Sequence, residues 1–100
     1  MFLSGLVGNK IAASVRIIPE KKYPFKILST KAKRGENINY KLRTESKHET
    51  EEYLLRIENL KKEKGRYHDI IYLKTDSSLQ PEIKIIIVGN IINNKDKSNK

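Results

Sequence analysis

Cysteine is absent from this 100-residue chain, so neither a disulfide framework nor a thiolate metal site can form. The compartment stays open, since cytosolic chains and many cysteine-poor exported domains share that absence. Histidine is scarce: His48 and His68 are the two present, and a metal site needs three or four converging ligands. His68 and Asp69 are neighbours, but successive strand residues face opposite sides of a sheet. A surface histidine is the better reading, and no metal or cofactor is expected. Long apolar runs are missing too, and no window approaches the ~20 residues of a membrane-spanning helix. Met1 to Gly8, MFLSGLVG, is apolar but short and lacks a basic leader, so it does not read as a signal peptide. An abrupt start on strand-like residues suggests a piece of a longer chain.

Acidic residues are the remaining shortage. Lys and Arg number 21 against 12 Asp and Glu, a net charge of +9. Such an excess favours non-specific attraction to nucleic acid, anionic lipid or acidic glycans. Solubility and a lysine-rich source composition are the preferred explanation, because charge alone discriminates poorly.

What is present is β patterning. From Gly65 to Gly89 the chain reads GRYHDIIYLKTDSSLQPEIKIIIVG. Tyr67, Ile71, Leu73 and Thr75 alternate before a polar turn, and Ile83, Ile85 and Ile87 alternate after it, which predicts a β-hairpin. Upstream, Phe2-Leu3 ends a short first strand. Ile11 to Ile18 is a strand with Ile11, Ala13, Val15 and Ile17 inward, closed by Pro19. Phe25 to Lys33 is another, with Phe25 and Ile27 on one side and Lys26, Leu28 and Thr30 on the other. After a turn around Gly35, Ile38, Tyr40 and Leu42 alternate as a half-buried strand. The stretch from Glu45 to Lys64 is ambiguous. Tyr53, Leu54, Ile57 and Leu60 fit a helix, with Ser46 and Glu49 as a capping box, whereas Tyr53, Leu55 and Ile57 fit a strand. A strand over Glu52 to Asn59 is expected, since a lone helix would leave a sheet face uncovered. Short strands at this spacing argue for one all-β domain over residues 1–92, a sandwich or small barrel. Residues 93–100, NNKDKSNK from Asn93 onward, lack an apolar anchor and are expected to be a disordered polar tail.

Catalytic chemistry finds little support. Asp76-Ser77-Ser78 is better explained as a turn in which short polar side chains bond their own backbone than as a nucleophile. Glu49, Glu51 and Glu52 sit among Lys47, Arg56 and Lys61 and read as a solvated face, not as an acid/base pair with divergent pKa values. Gly5 and Gly8 lack the strand–helix context of a phosphate loop. No catalytic residue is assigned, and the chain does not read as an enzyme.

The segments SGLVG, VRIIPEKKYPFKI, YLLRIEN, GRYHDIIYLKTD and PEIKIIIVGNI together resemble immunoglobulin-like domains of bacterial proteins of unknown function, related to the Hydin-like and major sperm protein-like group. The resemblance runs from Leu3 to Ile91. It rests on an Ile-Pro strand end, a Pro-Phe strand start, a Gly-aromatic strand opening and a Thr-Asp turn before a closing strand. It implies an immunoglobulin-like β-sandwich of about seven antiparallel strands in two sheets. Such a domain is often one module of a longer bacterial protein, at the cell surface or in the periplasm, with no catalytic residue to carry over. Asp69 departs from the pattern. It falls on the inward register between Tyr67 and Ile71, which requires either a solvated sheet end or a bulge.

Two surface features follow. Leu28, Ile70, Tyr72, Ile86 and Val88 all read as outward on strands that neighbour one another in an immunoglobulin-like topology, forming an apolar patch of the kind that marks a contact surface. Strand propensity alone would select the same residue types. The second feature is basic. Lys21, Lys22, Lys26, Lys31, Lys33, Arg34, Lys41, Arg43 and Lys47 crowd one third of the chain, and Lys26, Lys41 and Arg43 share the outward register as a positive stripe. The expected function is therefore a non-catalytic protein-interaction or structural module. Its partner is another protein, a neighbouring domain or a second copy, docked on the apolar patch or paired with an edge strand. The alternative is a polyanion-binding β domain, for nucleic acid or acidic glycan, that uses Lys26, Lys31, Lys33, Arg34, Lys41 and Arg43.

Overall fold

The computed structural model describes residues 1–47 and 50–93. His48, Glu49 and the tail beyond Asn93 lie outside them, and with them the expectations for the capping box and for a disordered end. The described residues form seven strands: β1 (Phe2–Leu6), β2 (Ala12–Ile17), β3 (Ile27–Ala32), β4 (Ile38–Lys47), β5 (Thr50–Asn59), β6 (Gly65–Thr75) and β7 (Glu82–Ile92). They form two sheets, β1-β7-β6-β3 and β2-β5-β4, which close as a β-sandwich. Within the ambiguous stretch Thr50–Asn59 is strand, paired on both sides over residues 53–58, and Tyr53, Leu55 and Ile57 are the buried set.

Alternation decides what lies inside. Leu3, Leu55, Ile57, Ile71, Leu73, Ile87 and Ile91 are the largest fully buried side chains. They come from both sheets, so each inner face contributes to one shared layer. Partly buried Ala13, Val15 and Ile17 on β2 and Tyr40 and Leu42 on β4 complete it. Tyr67 fits because its cross-strand partner is Gly89. A Cβ at Gly89 would overlap the ring of Tyr67, so glycine there makes room for an aromatic side chain between the sheets. The Tyr67 hydroxyl then donates to Asn59 Oδ1 at 2.7 Å, tying β6 to the end of β5.

The pairing departs from the expectation in three places. β1 runs parallel to β7, with Phe2 opposite Val88 and Leu6 opposite Ile92, so not every strand is antiparallel. β3 carries a register shift between Ile27 and Ser29. This bulge makes Leu28 an extra residue and moves the rest of the strand by one position. Thr30, expected outward, therefore pairs with the buried Leu73 and is half-buried, while Ser29 and Lys31 turn outward. Finally, β6 is regular at Asp69, which pairs with Ile87 and is 3% exposed. Neither a bulge nor a solvated end explains that residue; its hydrogen bonds do.

Candidate functional site

Asp69 is held by the turn it supports. Its carboxylate accepts the amides of Arg34 (2.9 Å), Gly35 (2.8 Å) and Ile70 (2.8 Å). Gly35 takes a φ of +73°, where glycine is least strained. Burial works against the charged carboxylate, but the three amides and the charge of Arg34 outweigh it, and the pKa falls below the usual value. Asp69 is thus a clamp on the crossing from β3 in one sheet to β4 in the other. At the opposite end, Asp76 Oδ1 accepts the Lys26 amide at 2.8 Å, and the Asp76 amide donates to the Lys26 carbonyl. Ser77 Oγ accepts the amides of Leu79 and Gln80, and Thr75 Oγ1 accepts that of Ser77. Ser77 thus bonds the backbone of its own turn, and Asp76 ties that turn to the chain entering β3.

The apolar candidates converge in part. Ile70 faces Ile86 across β6 and β7. Val88 lies one row along, flanked by Phe2 on β1 and His68 on β6. Tyr72 follows on the other side, paired with Lys84, whose Nζ lies 5.9 Å from the ring centroid. Ile86 is 59% exposed and Phe2 74%, so this strip crosses the outer face of the four-stranded sheet as a ridge open to water. Leu28 does not join it. The bulge leaves it 60% exposed at the far end of β3, beyond the row of Lys74 and Ser29. Phe2 belongs to the ridge but was not among the candidates, because nothing in the sequence indicates that β1 lies beside β7.

The basic candidates do not form one stripe. Lys31 and Lys33 lie on β3 or just after it, at the edge of the four-stranded sheet. Lys41 and Arg43 project from β4, opposite the outward Arg56 and Leu54 of the three-stranded sheet. Lys26 and Arg34 sit outside the strands, and their backbones serve the two aspartate turns. Outward in two sheets of a sandwich means two opposite directions, and the stripe divides between them.

The two outer faces differ in charge. On the three-stranded face Arg16 reaches Glu45 (3.4 Å) and Glu52 (3.1 Å), and Arg43 reaches Glu45 (3.0 Å). The hydrogen bond from Arg43, set against partial burial and joined by the charge of Arg16, lowers the Glu45 pKa. On the four-stranded face Lys31, Lys33, Arg66, Lys74 and Lys84 project alongside Glu82, the one outward acid among the described residues of those strands. A hollow of about 390 Å³ lies there, lined by Ser29, Lys31, Lys33, Tyr72, Lys74 and Glu82. The free edge of β3 is partly closed. Tyr53 Oη, buried and raised in pKa by that burial, accepts the Ile27 amide, and Tyr40 Oη accepts that of Ala32, each at 3.1 Å.

No protein-family model matches the chain, and no curated protein matches it significantly. Among solved structures, the solution structure of amebosin is similar, with a TM-score of 0.50 at 8% sequence identity over 91% of this chain and 88% of that one. That similarity concerns the fold. Among the described residues no helix is long and apolar enough to cross a membrane.

Proposed function

We propose that the chain is a non-catalytic protein-interaction module whose contact surface is the outer face of the four-stranded sheet. The observation that carries this reading is the ridge of Phe2, Val88, Ile86, Ile70 and Tyr72, brought side by side from three strands, with Phe2 and Ile86 exposed and the other three half-buried. Apolar side chains in contiguous register across a sheet differ from the single exposed ones that every surface carries. The strand order supports an immunoglobulin-like assignment: β2-β5-β4 and β7-β6-β3 correspond to the B-E-D and G-F-C sheets of that arrangement, with the first strand moved across to pair with the last. The motif resemblance adds to the proposal a longer bacterial parent chain, at the cell surface or in the periplasm.

A photo-crosslinking residue placed at Ile86 and, separately, at Leu54 on the opposite outer face tests the reading inside the source cells. Discrete adducts from position 86 and none from 54 are expected. Adducts from 54 alone, or from neither, overturn it.

A further inference from the structure

We infer that the occupant of this face is an acidic polypeptide segment bearing aliphatic side chains, laid across the sheet and not added to it as a strand. This rests on the face being a contact surface. Charge complementarity indicates the partner: Lys31, Lys33, Arg66, Lys74 and Lys84 stand around the ridge with Glu82 opposing them, and Lys31, Lys33 and Lys74 make no ion pair among the described residues. Carboxylates entering the hollow beside Tyr72 meet Lys31, Lys33 and Lys74 against the single carboxylate of Glu82, while an aliphatic side chain covers Ile70, Ile86 and Val88. The docking mode follows from the edge of β3, where the hydroxyls of Tyr53 and Tyr40 already hold the amides of Ile27 and Ala32. An added strand would have to displace both. A second copy fits poorly, since two such faces bring like charges together. Single-stranded nucleic acid needs aromatic platforms; here Tyr72 lies beneath the Lys84 ammonium, and the exposed ring of Phe2 stands two rows and two strands away, so the two form no continuous stacking surface.

The test uses a fluorescein-labelled Asp/Leu peptide, its Asn/Leu counterpart, oligo-dT and phosphatidylserine vesicles, titrated by anisotropy or co-sedimentation between about 0.05 M and about 0.5 M salt. NMR amide shifts locate the site. The Asp/Leu peptide is expected to shift Ile70, Ile86 and Lys31, to bind about tenfold tighter than the Asn/Leu peptide and to weaken with salt. Lys31→Glu with Lys33→Glu should cost a further tenfold or so, and Lys41→Glu with Arg56→Glu on the opposite face should cost nothing. Melting curves confirm that both variants fold. Equal binding of the two peptides at this face overturns the acidic assignment and leaves the contact surface standing. Shifts confined to other surfaces, or no binding of either peptide, overturn both. Tighter binding of oligo-dT or vesicles, or equal losses in the two double variants, overturns the peptide.

Discussion

The outer face of β2-β5-β4 and that of β1-β7-β6-β3 use the same alternation and the same lysine-rich alphabet, and they differ in what stands opposite what. On the first, Arg16 and Arg43 converge on Glu45 and Glu52, and that end of the face is a net of compensated charges. On the second, isoleucine meets isoleucine and valine meets phenylalanine across the strands, and the cations are displaced to the rim. Cross-strand neighbours, more than composition, decide whether a surface stays solvated or offers a site. The inner faces show no such contrast. Ile57 in one sheet and Ile71 in the other are both fully buried. Replacing either by alanine should cost about 2–5 kcal/mol in urea unfolding, a large share of the stability of a domain this size. Where alanine leaves no folded protein, valine should cost about 1 kcal/mol at both positions. A tolerant position in one sheet would make the faces differ through the core as well.

Asp69 sharpens the contrast from within, because it locks the crossing from the four-stranded to the three-stranded sheet. Asp69→Asn keeps an oxygen for two amides and points an NH2 group at the third. A loss of about 2 kcal/mol near neutral pH is expected. The pH dependence has a definite sign. The folded pKa lies below the ordinary 3.8, so the clamp stabilises fully above that value and is lost as the pH falls through the lower, folded one. The parent chain should therefore lose stability steeply on the acid limb, and the Asn variant should show a shallower limb. Parallel limbs would mean that the carboxylate titrates alike in the folded and unfolded chain, so that the three amides do not lower its pKa.

Much of this architecture is legible in the sequence, for a physical reason. Period-two alternation states which residues point inward; β2, β6 and β7 follow it throughout their lengths, β4 follows it from Ile38 to Arg43 and β5 from Tyr53 to Ile57. Alternation does not state which sheet a strand joins. That is why Lys26, Lys41 and Arg43, which share an outward register, read as one stripe although Lys26 precedes β3 of one sheet and the other two lie on β4 of the other, and why Phe2 was missed beside Val88. A bulge is equally silent: one extra residue at Leu28 reverses the facing of Thr30 and detaches Leu28 from the ridge. Asp69 stands out as a charge in an inward position, but its partners are backbone amides of a turn far away in sequence, and backbone amides leave no pattern in the residue types.

The smallest effects separate the outer faces most cleanly, because they depend on salt in different ways. Arg16 is exposed and works through screened charge, so Arg16→Ala should lower the unfolding midpoint slightly in dilute buffer and not at all in about 1 M salt. Ile86→Ser removes an exposed apolar side chain whose partners are also apolar. Its cost, below about 1 kcal/mol and set by strand preference and cross-strand contact, should be the same at both salt concentrations. Unfolding midpoints for the two variants across that range provide the check. A penalty for Arg16→Ala that survives high salt would show that its bonds to Glu45 and Glu52 act by geometry as well as by charge. The three-stranded face would then be a fixed structural network, which would leave the ridge around Ile86 as the part of the surface free to exchange water for a partner.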